Sequence, residues 1–151
     1  MVPRSHTNDI QDRVEIVTGT SRGIGSDIAD PLVGRGAKVV LSSRKQADLD
    51  AEAERINAEH PGAAMAVAAH AGKPDELASL VDATLERHGR LDILVNNAAT
   101  NPYFGHPVDA DLASWAKTFE VNVRRVFALT QLPVNRYSGQ QSGATVNAAT
   151  A

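Results

Sequence analysis

The run Thr18-Gly19-Thr20-Ser21-Arg22-Gly23-Ile24-Gly25 carries the clearest chemistry in the sequence. Glycines at 19, 23 and 25 let the backbone turn tightly and leave room beside it for a bulky anion. The run lies between a β-rich segment, Val14 to Thr18, and a helical pattern that begins at Ile24. A helix starting there aims unpaired N–H groups and its positive dipole end at the turn, which suits a pyrophosphate. The glycines could serve a connecting turn alone. Their place between strand and helix, with a second strand about 15 residues on, points instead to dinucleotide binding.

Which dinucleotide is read at the end of the second strand. An acidic residue there would hold the ribose 2′-hydroxyl of NAD. The sequence reads Ser42-Ser43-Arg44-Lys45, with no carboxylate and two cations. Arg44 can form a bidentate pair with a 2′-phosphate, and Arg22 approaches from the first turn. The alternative is a solvated helix start, but cations at a helix N-terminus are unfavourable without an anion nearby. NADP is therefore expected in preference to NAD.

The elements that must position these residues follow from periodicity. Strands are expected over Val14 to Thr18, Lys38 to Ser42, Ala64 to Ala69, Leu91 to Val95 and Ala144 to Ala149. Helices are expected from Ile24 to about Arg35, Lys45 to Glu59, Pro74 to about His88, and about Asp111 to Leu132. The third helix has Leu77, Leu80, Val81 and Leu85 on one face and Gly89 as its stop. The last is expected to bury Trp115, Phe119, Val123 and Phe127. Strand–helix alternation of this kind argues for an α/β, doubly wound parallel sheet of order 3-2-1-4-5 with right-handed crossovers.

Composition agrees with one such domain. The 151 residues are 42% hydrophobic and 22% charged, with a net charge of −3, which disfavours disorder and a strong non-specific hold on nucleic acid. There are no cysteines, so disulfides, thiolate metal sites and thiol nucleophiles are excluded, and a cytoplasmic setting is expected. No apolar run reaches the ~18 residues of a membrane span. The five histidines show no metal-ligand spacing, and no basic stripe suggests a nucleic-acid partner. Residues 1–12 read as a flexible lead-in and 13–151 as a dinucleotide-binding domain.

Taken together, these motifs resemble the short-chain dehydrogenase/reductase family from about Asp12 to Ala151. Residues 18–25 are similar to its TGxxxGxG turn, and Asn96-Asn97-Ala98-Ala99 to its NNAG motif after the fourth strand. Asn122-Val123 resembles the helix position of its structural and catalytic asparagine. SSRKQ (Ser42 to Gln46) and NAATNPYFG (Asn97 to Gly105) are closer still to NADPH-dependent carbonyl and retinol reductases. The resemblance implies hydride transfer between NADP(H) and a small-molecule carbonyl or alcohol. It implies cofactor contacts at Gly19, Thr20, Ser21, Arg22, Gly23, Ile24, Gly25, Ser43, Arg44, His70, Ala71, Asn96, Asn97 and Ala98. His70 stands where many members have an adenine-contacting aspartate. Asn122 would help hold a water for proton relay, and Thr150, 28 residues later, would supply the hydroxyl that steadies the substrate oxygen.

The family's acid/base tyrosine and its lysine, the YxxxK pair, are not matched. Neither Tyr103 nor Tyr137 has a lysine four positions on. The reading is accordingly twofold: an oxidoreductase by family, or a non-catalytic dinucleotide-binding fragment or gene remnant. The family's homo-oligomer interface would be only partly present. Three further residues break local rules. Glu15 places a carboxylate in a central strand. Pro31 interrupts the first helix. Arg125 replaces a small residue on the long one.

Overall fold

A computed structural model describes residues 10–20, 24–136 and 143–148. Residues Ser21, Arg22, Gly23 and Thr150, together with most of the expected lead-in, lie outside these.

Five strands are present: β1 (Val14–Thr18), β2 (Lys38–Ser42), β3 (Ala64–Ala66), β4 (Ile93–Asn96) and β5 (Ala144–Asn147). They form one sheet of order β3-β2-β1-β4-β5, parallel at every pairing, as the alternation predicts. Helices α1 (Ile24–Val33), α2 (Gln46–Glu59) and α3 (Pro74–His88) connect the strands. The start and stop of α3 follow local rules. Pro74 needs no hydrogen-bond partner in the first turn, and Gly89 takes the left-handed φ of 70° while its N–H returns to Leu85 O at 2.7 Å.

The sheet is packed on both faces. Val17, Val39, Leu41 and Val95 meet Ala29 and Val33 of α1 and Leu49, Ala53 and Ile56 of α2. Ile16, Val40 and Leu94 meet Leu77, Leu80 and Val81 of α3 and Leu129 of the last helix. β-Branched residues dominate β1, and β2 carries Val39, Val40 and Leu41 at its centre, because both faces of these strands are covered.

Three expected strand boundaries are corrected. β3 ends at Ala66, not Ala69. Beyond Val67, whose N–H meets Leu41 O at 3.0 Å, the Ala68 N–H turns to Gln46 Oε1 and the Ala69 N–H to Ser43 O. The chain there leaves the ladder to build a wall. β5 likewise stops at Asn147, and β4 runs Ile93–Asn96.

The single long helix is instead α4 (Leu112–Phe119), a π turn (Glu120–Arg124) and α5 (Arg125–Arg136). Its aromatic face is not buried: Trp115 is 56% exposed and Phe127 63%, with Phe119 and Val123 similarly open. Repeats of four put these residues on one ridge, but Val121 and Leu129, on another ridge, reach the interior. Trp115 and Phe119 stack on each other at 4.3 Å. No helix among the described residues is long and apolar enough to cross a membrane.

The rule-breaking residues sit where the sequence placed them. Pro31 lies inside α1 on its exposed side. Glu15 is fully buried between Val39 and Ile93, and neither carboxylate oxygen has a hydrogen-bond partner. Burial, and then the charge of Asp92, pushes its pKa up to about 7. Asp92 differs. Burial works to raise its carboxyl, but hydrogen bonds from Arg90, the Val14 N–H and Arg13 outweigh it and hold the carboxyl below the usual range.

Candidate functional site

The C-terminal ends of β1, β2 and β4 are tied together by a small set of polar groups. Thr18 Oγ1 accepts from the N–H groups of Asn97 (3.0 Å) and Ala98 (3.1 Å) and donates to Val95 O. The Asn97 side-chain amide donates to Thr18 O at 3.1 Å and lies 3.4 Å from Gly19 O. The Gly19 N–H reaches Ser42 O at 2.7 Å, and Thr20 leans on the same carbonyl. Thr20 and Asn97 thus brace the first turn from beneath.

Two glycines are required by space. Gly19 has a φ of 74°, and a Cβ there would lie 3.0 Å from Ala98 Cα. At Gly25, in the first turn of α1, a Cβ would run into the Gly19 carbonyl. The close approach of helix and turn therefore depends on both.

A cleft of about 570 Å³ opens over these strand ends. Gly19, Ser43, Arg44, His70, Ala71, Asn97 and Ala98, all singled out by sequence, line it together. Ser43 Oγ is buried in this wall without a partner. Arg44 and Lys45 are exposed at the entry to α2, and neither has an ion-pair partner among the described residues. Asp48, in the first turn of α2, is the carboxylate in the lining. Thr20 is turned inward and does not line the cleft. Ile24 begins α1.

Asn122 and Asn96 belong to a neighbouring cavity of about 510 Å³ between β4, β5 and α5. The Asn122 side chain, in the π turn, exchanges two 2.9 Å hydrogen bonds with the Thr100 backbone. Both ends of its amide are occupied, so it fixes the loop that separates the two cavities. Asn96 Nδ2 donates to Asn147 Oδ1 at 3.0 Å across the last strand pair.

Among the lining residues that sequence reasoning missed are Lys117, Val121 and Arg125. Their four-residue spacing was a usable signal, since it makes one ridge across α4, the π turn and α5. Only Val121 is apolar, so a search for apolar stripes passes over it.

A family model for short chain dehydrogenase matches residues 13–151. The dehydrogenase/reductase SDR family member 4 of Caenorhabditis elegans is 36% identical over 142 residues, which cover 94% of this chain and 54% of that protein. Its counterpart in Oryctolagus cuniculus is 37% identical over 137 residues, covering 91% and 52%. The chain therefore spans about half the length of the curated relatives it matches. Among solved structures, L-sorbose reductase from Gluconobacter frateurii, complexed with NADPH and L-sorbose, superposes with a TM-score of 0.83 at 28% identity, covering 91% of this chain and 52% of that one. A metagenomic short-chain oxidoreductase in complex with NADP gives 0.82 at 32% identity, covering 92% and 62%.

Proposed function

The chain belongs to the short-chain dehydrogenase family, and on that premise we propose that its cleft holds NADP(H) for hydride exchange with a small carbonyl or alcohol. The observation that carries the choice of cofactor is the end of β2, which offers the cleft Ser43, Arg44 and Lys45 and no carboxylate. Gly19 and the turn into α1 would take the pyrophosphate, the buried and unpartnered Ser43 hydroxyl the ribose, and Arg44 the 2′-phosphate. Solved relatives whose complexes contain NADPH or NADP favour the same assignment. When bound, the cofactor supplies the hydride; the residues described here bind and orient it.

Residues 13–151 form the cofactor-binding unit in this reading, and a cytoplasmic setting goes with it. Asn122 holds the loop beside the reacting end, and Thr150 is the proposed hydroxyl partner of the substrate oxygen.

Titration by nicotinamide fluorescence tests the assignment. NADPH is expected to bind at least about tenfold more tightly than NADH, and Arg44→Ala to remove that preference while leaving NADH affinity unchanged. Equal affinity for the two dinucleotides in the unmodified chain would sink it.

A further inference from the structure

Two carboxamide side chains of α2 pair with the backbone of β3 on the side away from β2. Ala63 O accepts from the Val39 N–H, and the N–H groups of Val67 and Ala69 donate to Leu41 O and Ser43 O, so Ala64, Ala66 and Ala68 face the open margin of the sheet. There Asn57 exchanges two 2.9 Å hydrogen bonds with the N–H and C=O of Ala64. Gln46 accepts from the Ala68 N–H at 2.9 Å and donates to Ala66 O at 3.3 Å, as a residue of a further parallel strand would. Gln46 Nε2 also donates to Asp50 Oδ1 at 2.7 Å, one turn along the helix, so both ends of the amide are fixed. The two amides differ in position. Asn57 lies toward the far end of α2, about 16 Å from Gln46 along the helix. Gln46 opens α2 directly after Arg44 and Lys45. The turn over residues 43–46 is therefore held to the segment over residues 66–69 at both of its ends, by Ser43 O and by the Gln46 amide, with the exposed Arg44 and Lys45 between.

We propose that Gln46 is a positioning residue for the choice of dinucleotide: it fixes the turn that carries Arg44, so that the guanidinium is set in place before a 2′-phosphate arrives. This deepens the NADP(H) reading above and rests on it. A guanidinium on a turn held at both ends has less freedom to lose on binding. Held at Ser43 alone, the turn swings about that one contact and the ligand must order it. That cost falls on the group that Arg44 contacts and not on the pyrophosphate, which Gly19 and the start of α1 would take. Gln46 thus acts on the preference for NADPH over NADH, not on dinucleotide binding as such. Asn57 makes the same kind of contact far from the cleft and bears on stability alone.

The experiment is a fluorescence titration of the unmodified chain and of Gln46→Met, which keeps the length and removes the amide, with NADPH and with NADH. The preference for NADPH should fall about fivefold in Gln46→Met, with NADH affinity kept within about twofold. An unchanged preference would overturn the proposal, and so would a loss of affinity for both dinucleotides by the same factor, which a merely structural role would give. Asn57→Ala removes two bonds of the same kind and should lower the thermal midpoint while leaving the preference as it was. A loss of preference equal to that of Gln46→Met would overturn the proposal, because any loosening of β3 would then suffice. In an Arg44→Ala background, Gln46→Met should leave the ratio of the two affinities unchanged. Persistence of the fivefold change there would show that Gln46 does not act through Arg44. Should the unmodified chain bind the two dinucleotides equally, the NADP(H) reading falls and takes this one with it. Should it prefer NADPH and Gln46→Met keep that preference, only this proposal falls.

Discussion

Val39, Val40 and Leu41 of β2 are fully buried, whereas every residue of β5 is exposed, Val146 at 50%. Both strands are short, parallel and apolar enough to read as interior. The difference lies in what packs on them. Helices α1 and α2 cover one face of β2 and α3 covers the other, while β5 pairs with β4 at the margin of the sheet. The exposed ridge of Trp115, Phe119, Val123 and Phe127 likewise follows β4 in the chain. Apolar sequence thus states a demand for burial, and only the arrangement of neighbours decides whether it is met.

The sharpest test of the well-packed side is Gly25→Val. Its side chain would collide with the Gly19 carbonyl, so NADPH binding should fall by about 100-fold or more, with the thermal midpoint lowered as well. Wild-type affinity in this variant would mean that the turn does not hold the cofactor. Leu49→Ala, at a fully buried position between α2 and the sheet, should cost about 3 kcal/mol in urea unfolding.

Glu15→Gln comes next, with an effect that depends on pH. The folded pKa of about 7 exceeds the ordinary value of 4.5, so folding gains from the retained proton and that gain is lost as pH rises from 4.5 to about 7. Wild type and variant should be equally stable near about pH 4, with the variant ahead by on the order of 3 kcal/mol above about pH 8. A constant difference across that range would show that Glu15 does not ionise on unfolding. Phe127→Ser should matter least, within about 0.5 kcal/mol, because its ring is already exposed. A loss comparable to that of Leu49→Ala would show that something covers this face in solution, and the contrast between the two sides would collapse.

Much of the proposed cofactor end was legible in the chain. The glycine turn, the bare end of β2 and the Asn96–Ala99 segment are local in sequence, and local geometry carries their meaning. The ridge of Lys117, Val121 and Arg125 was not, because its residues differ in type and share only a direction. Arg125 read as a residue out of place. Packed against His70, it becomes part of the wall. Asn122 was legible as a polar residue on a helix, but its engagement with Thr100, 22 residues away, required the loop to be folded back.

The alternation of strand and helix, the sheet order and the core positions of α3 were determined by sequence alone, because periodicity and turn residues act over a few positions. The tertiary structure decided where β3 leaves the ladder and which ridge of the α4–α5 segment is buried. Each depends on a partner distant in sequence or on a backbone group whose direction is set only when the chain has folded.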